Sequence, residues 1–270
     1  LLKVLECSSV KGASSWLTTL PLQDENRVLN KCEFRDALAM RYGWKPKNLP
    51  QKCACGKDNS IAHCLDCKLG GFVSMRHDQI RNTIARLMTK AGCKSVEIEQ
   101  QLLPVEGERD GIKGVEKGDE ARMDVTAVGF WGACQRAFFD IRVCDPFAPS
   151  YSRKPIPSLL KSQEKEKKKK YNKRILEIEK STFTPLVFTV TGGCGKECDL
   201  VLKKLATMIS SKTGSTQSSV MHCIRTELSF TLLRTCIISL RGWRRRKLEI
   251  GEETRDFEIT SERSRARTHF

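Results

Sequence analysis

RMDVTAVGFWGACQRAFFDIRV, residues 122–143, decides how the rest of the chain is read. Its two flanks, 121–129 and 136–143, alternate apolar and polar side chains with period two, which is the pattern of half-buried strands. The intervening FWGAC makes the segment a hairpin. If pairing is symmetric about Gly132, Asp124 stands directly opposite Asp140, and facing Cα atoms in such a pair lie about 4.5–5.5 Å apart. Like charges placed so closely destabilise a sheet. A divalent cation reverses the sign of that cost, because Mg²⁺ is commonly held by one or two carboxylates, with waters and substrate phosphate completing its shell. Arg142 shares the face of Asp140, while Phe139, Ile141 and Val143 occupy the other. A register slip of one residue would separate the pair.

Working outward, SVEIEQQLL (95–103) and FTPLVFTVT (183–191) supply two further strands. Ahead of the first, Ser74 opens a helix with Ile80, Ile84, Leu87 and Ala91 on one face and Gly92 as its stop. Residues 104–120 read as a glycine-rich acidic loop, and DPFAPSYSRKPIP as a proline-rich connection before a charged helix from Ser162 to about Lys180. The order from 74 to 191 is therefore α-β-β-β-α-β, an α/β (α+β) class, and amphipathic helices are expected at about 197–211 and 218–240. Near the N-terminus, Phe34, Leu38 and Arg41/Tyr42 recur at helical spacing over 32–43, and Pro46 and Pro50 end that segment. The chain divides into a helical segment (1–50), a Cys-rich segment (51–73), an α/β domain (74–240) and a basic tail (241–270).

The charged helix, SQEKEKKKKYNKRILEIEK, is mostly a solvated lysine run, but Tyr171, Ile175 and Ile178 set a buried stripe. Projected one turn back, that stripe reaches Lys167, or Lys168 at the alternative spacing, and a further turn reaches Glu164. One lysine near the start should thus face the sheet. There it could stabilise charge on a reacting phosphate or orient a water.

CACGKDNSIAHCLDC places Cys53, Cys55, His63 and Cys67 at zinc-knuckle spacing. Thiolate and imidazole ligands so close in sequence can close a tetrahedral Zn²⁺ shell, which supplies folding energy to a segment too short for its own core. The single residue between Cys53 and Cys55 is shorter than usual, and Cys64 offers an alternative partner for Cys67. The remaining cysteines are scattered, and most read as small buried hydrophobes.

Forty-eight Lys and Arg against 32 Asp and Glu give a net charge of +16, the footprint of a polyanion binder, with nucleic acid first among the partners. No secretory signal pattern opens the chain, and LSFTLLRTCIISL (228–240) is interrupted by Arg234 and too short for a membrane span. The expectation is an intracellular protein without a membrane partner. Its cysteines then serve as metal ligands and buried thiols, not as a disulfide framework.

The succession of knuckle, Arg76-His77-Asp78, Asp124, Asp140 and a helical Glu166-Lys167 with Tyr171 resembles the C-terminal region of non-LTR retrotransposon polyproteins. In these a CCHC zinc knuckle precedes a restriction-like endonuclease of the PD-(D/E)XK superfamily, whose core has the order α-β-β-β-α-β. ASSWLTTLPL…EFRDALAMRYGW is similar to the segment that follows the reverse transcriptase, so the resemblance spans about residues 13–240. It implies a nuclear, metal-dependent DNA endonuclease that nicks one strand to prime reverse transcription. A reverse transcriptase in the same polyprotein, and the element RNA, would be its further partners. It also implies that Asp124 and Asp140 hold Mg²⁺ or Mn²⁺, that Lys167 is the catalytic lysine moved onto the helix, and that Arg142 stands where the superfamily usually has Lys. Arg stays cationic but cannot act as a general base. Arg76, His77 and Tyr171 are candidate nucleic-acid contacts, although Asp78 and Ser74 could instead serve the helix start. Met123 replaces the proline of the family motif. The competing reading is a zinc-knuckle nucleic-acid-binding fragment of a decayed element, without cleavage. A RING-like interaction domain lacks its second set of four ligands.

Overall fold

Strand pairing follows from how the alternating segments are joined. The computed structural model describes residues 2–23, 27–103 and 121–242; the loop expected at 104–120 and the tail from 243 onward lie outside the described residues. The chain runs α1 (Leu2–Ser9), α2 (Lys31–Tyr42), α3 (Ile61–Asp66), α4 (Phe72–Ala91), β1 (Lys94–Gln101), β2 (Arg122–Val128), β3 (Arg136–Cys144), α5 (Ile156–Glu177), β4 (Thr182–Thr189), α6 (Lys196–Thr213) and α7 (Gln217–Arg241). The result is a mixed α/β architecture around one four-stranded sheet of order β1-β2-β3-β4. β1 and β3 pair antiparallel with β2, and β4 runs parallel to β3. A parallel neighbour needs a crossover, and α5 provides it. Pro185, which cannot donate to a ladder, is tolerated because β4 is an edge strand.

The hairpin pairs Val125 with Phe139, Thr126 with Phe138, Ala127 with Ala137 and Val128 with Arg136. Every pair is symmetric about position 132, the register read from the sequence. The consequence is a division of the sheet into two faces. On one, Val125, Ala127, Phe139, Ile141, Leu186 and Phe188 join Ile80, Ile84, Leu87 and Met88 of α4 and the inner faces of α6 and α7 in the main core. Phe139 is fully buried and meets the Phe130 ring edge-to-face at 5.1 Å. The opposite face is covered by α5, which buries Ile175 with Phe138 and Phe183 and Leu159 with Val187.

Three expectations are corrected. The charged helix begins at Ile156, not Ser162, because Ile156, Leu159 and Leu160 belong to its buried stripe and prolines are compatible with a first turn. α4 begins after Gly71 with no side-chain cap, so Ser74 lies inside the helix. α2 buries Asp36, Ala37 and Ala39 and leaves Phe34 and Tyr42 exposed. Asp36 is accommodated by a bidentate pair with Arg241 of α7, 2.6 Å to each carboxylate oxygen. Trp16 and Ala37 pack on Phe230, Leu233 and Ile237, which ties the N-terminal segment to α7. Among the described residues, no helix is long and apolar enough to cross a membrane.

Candidate functional site

The β2–β3 ladder stops at Val125↔Phe139, one pair short of the aspartates. Beyond it, Ile141 has lost its cross-strand backbone partner, and both of its backbone groups are taken by side chains. Its N–H donates to Asp124 Oδ2 at 2.5 Å, and its carbonyl lies 3.1 Å from His77 Nε2. The same His77 nitrogen is 3.2 Å from Asp124 Oδ2. Two acceptors around one nitrogen require Nε2 to carry the proton. Hydrogen bonding to Asp124 raises the His77 pKa despite the opposing effect of burial. Asp124 is thus turned into the opened end of the hairpin and fixed there by strand β3 and helix α4.

Asp140 points to the α5 side and is only 5% exposed. Burial raises its pKa, Lys167 opposes that rise, and the Asp124 charge adds to it. Lys167 Nζ lies 2.7 Å from Asp140 Oδ2. That ammonium is the compensating partner of an otherwise buried carboxylate oxygen. Of the two lysines left open by helical spacing, Lys167 faces the aspartate, while Lys168 pairs with Glu197. Glu164, a turn earlier, accepts the Glu197 N–H at the start of α6 at 2.9 Å. A Cβ at Gly195 would fall 2.0 Å from that carboxylate, so only glycine leaves room for it.

Arg142 shares the α5 side with Asp140, and its guanidinium bonds Glu166 at 2.8 Å. Tyr171 packs against Phe183 and carries the Lys167 and Lys170 ammonium groups 5.7 and 4.7 Å from its ring centre. Arg76 departs from the expected nucleic-acid contact. It is 2% exposed and donates to Leu65 O at 2.8 Å, bracing α4 against the knuckle instead of facing solvent. Its Nε and Nη1, and Oδ2 of the buried Asp145, have no hydrogen-bond partner. Burial pushes the Asp145 carboxyl up to about 6, although Arg76 pulls it down. His77 is directed at Asp124, so its contact is with the carboxylate site. Sequence reasoning left the role of His77 open and missed Asp145, and helical periodicity carried no signal for either.

The second constellation is the knuckle. The ligand atoms of Cys53, Cys55, His63 and Cys67 all lie within 4.8 Å of one another, a set able to hold a metal such as zinc. Cys53 and Cys67 sulfurs are 3.9 Å apart, and Cys55 Sγ is 3.3 Å from His63 Nε2. A tetrahedral site with Zn–S of about 2.3 Å spans about 3.8 Å between sulfurs, so the donors fit the ion. The Cys53 carbonyl accepts the Gly56 N–H at 2.8 Å, a tight turn that Gly56 closes with φ +90°. Ser60 caps α3 on the His63 N–H at 3.1 Å. Cys64 turns away, its thiol donating to Asn59 Oδ1 at 3.0 Å, which removes it from the ligand set.

Comparison with known proteins returns no matching family model and no curated protein similar to this chain.

Proposed function

We propose that this chain is a metal-dependent DNA endonuclease of the restriction-like, PD-(D/E)XK type, in which a structural zinc knuckle precedes the nuclease domain. The observation that carries the reading is the buried Asp140 carboxylate, paired with Lys167 at 2.7 Å and close enough to Asp124 to feel its charge. Two carboxylates within electrostatic reach of each other, one of them buried, raise a cost that Lys167 offsets only in part, and a divalent cation such as Mg²⁺ or Mn²⁺ would offset the rest. When bound, such an ion would polarise the scissile phosphate and lower the pKa of an attacking water. The protein's own part is then to hold and neutralise. Asp124, fixed by Ile141 and His77, and Asp140 form the donor pair. Lys167 offsets charge on the phosphorane-like transition state, and Arg142 clamps a phosphate oxygen. Water would add to phosphorus and lose a proton to solvent, the P–O3′ bond would break with O3′ taking up a proton, and a 5′-phosphate and a 3′-hydroxyl suitable for priming would be released.

The element order α4-β1-β2-β3-α5-β4 supports this reading, as do the basic surplus and the lysine-rich helix beside the site. A retrotransposon origin, a fused reverse transcriptase, element RNA as partner and nuclear localisation rest on the sequence resemblance. The alternative, a binding fragment without cleavage, draws on Arg142, which takes the usual lysine position and is already engaged by Glu166. Nicking of supercoiled plasmid in Mg²⁺ or Mn²⁺ separates them. The endonuclease reading predicts open-circular product from the wild type and a loss of at least about 10³-fold in Asp124→Ala and Asp140→Ala, the scale of removing a group that stabilises transition-state charge. Salt-sensitive DNA binding with no nicking by the wild type would favour the binding fragment.

A further inference from the structure

We infer that the groove between the C-terminal end of α2 and the knuckle helix α3 is a binding site for single-stranded nucleic acid, with Trp44 as its stacking platform. Two cavities meet there. One, of about 410 Å³, is lined by Trp44, Lys45, Pro46, Leu49, Ser60 and Ala62 among others. The other, of about 610 Å³, shares Ser60 and Ala62 and continues to Lys57, Lys68 and the exposed edge of the metal cluster. The two cavities adjoin at Ser60 and Ala62, at the start of α3.

Its chemistry is graded. At one end Trp44 is 57% exposed although it is among the largest apolar side chains, and its ring stacks on Tyr42 with centroids 4.8 Å apart and planes 25° apart. The Arg41 guanidinium lies 5.7 Å from the Tyr42 ring centre and adds positive charge to the stack. Gly43 in the left-handed region ends α2, and the Trp44 N–H is held by Ala39 O at 2.9 Å, so the indole is presented from a fixed backbone. Along the groove Lys45, Lys57 and Lys68 are exposed, against Asp66 as the acidic residue of the lining. An accessible aromatic face followed by lysines matches an unstacked base followed by phosphates. Bases in a duplex are already stacked on their neighbours, so their faces cannot reach Trp44. The site lies apart from Asp124 and Asp140 and needs no cleavage.

The test is fluorescence anisotropy of labelled 12-mer oligo-U, oligo-dT and a DNA duplex with the zinc-loaded full chain, without added Mg²⁺. Trp44→Ala should weaken both single strands by about 5- to 100-fold, leave the duplex unchanged, and be largely restored by Trp44→Phe. Trp44 is 57% exposed and its removal leaves no cavity in the core, and Trp44→Phe controls for misfolding. Lys45→Ala/Lys68→Ala should flatten the single-strand salt dependence by about 1.4 in logarithmic slope, from about 0.7 per phosphate. Preference for oligo-U or oligo-dT would each support the site and name its source. Unchanged single-strand affinity in Trp44→Ala, or equal loss on duplex, would overturn it. Failure of the nuclease reading would appear in plasmid nicking and leave these affinities intact.

Discussion

The segment from Cys53 to Cys67 brings four ligand atoms within 4.8 Å with little core of its own, whereas Asp124, Asp140 and Lys167 arrive from two strands and a helix that the core has already positioned. In the first, short-range sequence spacing does the assembling and a bound metal would supply the energy. In the second, buried Phe139, Ile141 and Leu186 fix the backbone, and the carboxylates occupy a place where the ladder has opened. On the proposed reading the local ligand set would depend on its ion for structure, and the long-range set would depend on its own for chemistry.

Withdrawal of the knuckle metal, or Cys67→Ser, should break the comparison most sharply. Structural Zn²⁺ contributes roughly 10–16 kcal/mol of apparent binding energy, so hydrogen exchange should become fast across 51–71 while β2, β3 and α7 stay protected. Collapse of protection in the sheet as well would mean that Arg76 and Leu65 make the two regions one unit. Phe139→Ala should act the other way round. Loss of its buried ring is expected to cost about 3–5 kcal/mol, read as a lower midpoint in urea, with zinc stoichiometry unchanged in the folded protein.

Asp145, between the two regions, sharpens the comparison through pH. Its carboxyl sits at about 6 when folded, above the ordinary 3.8. The folded state therefore keeps a proton that the unfolded chain has released, and stability declines as pH rises from about 4 to about 6. The decline amounts to about 3 kcal/mol by order of magnitude. Asp145→Asn should remove it, raising the urea midpoint at pH 7.5 and not at pH 4; equal effects at both pH values would refute the assignment. Smallest of all, Glu166→Ala breaks an exposed pair with Arg142 and should change stability by less than about 0.5 kcal/mol.

Much of this was legible in the sequence where periodicity is strict. Symmetry about Gly132 gave the hairpin register, because a strand has period two, but the alternation that suggested half-buried strands missed that helices cover both faces and bury β3 on each. The Tyr171–Ile175 stripe brought Lys167 to the sheet for the same kind of reason. The spacing of the Cys/His set carried the knuckle, and Cys64 was excluded only by its turn towards Asn59. Illegible were features set by tertiary contact. Ladder termination at Val125, the capture of Ile141 by Asp124 and His77, and the burial of Arg76 depend on partners 11 to 64 residues away. α2 shows the limit of periodicity: its apolar Phe34 lies outside while Asp36 is buried, because Arg241 supplies a partner.

The central claim is that Asp124 and Asp140 together hold a divalent cation for phosphodiester hydrolysis. Electron paramagnetic resonance of Mn²⁺ added to the zinc-loaded chain tests it most directly. The account predicts one bound Mn²⁺ per wild-type chain and none at the same concentration in Asp124→Asn or Asp140→Asn, both folded. Equal Mn²⁺ uptake by the wild type and both variants would contradict it.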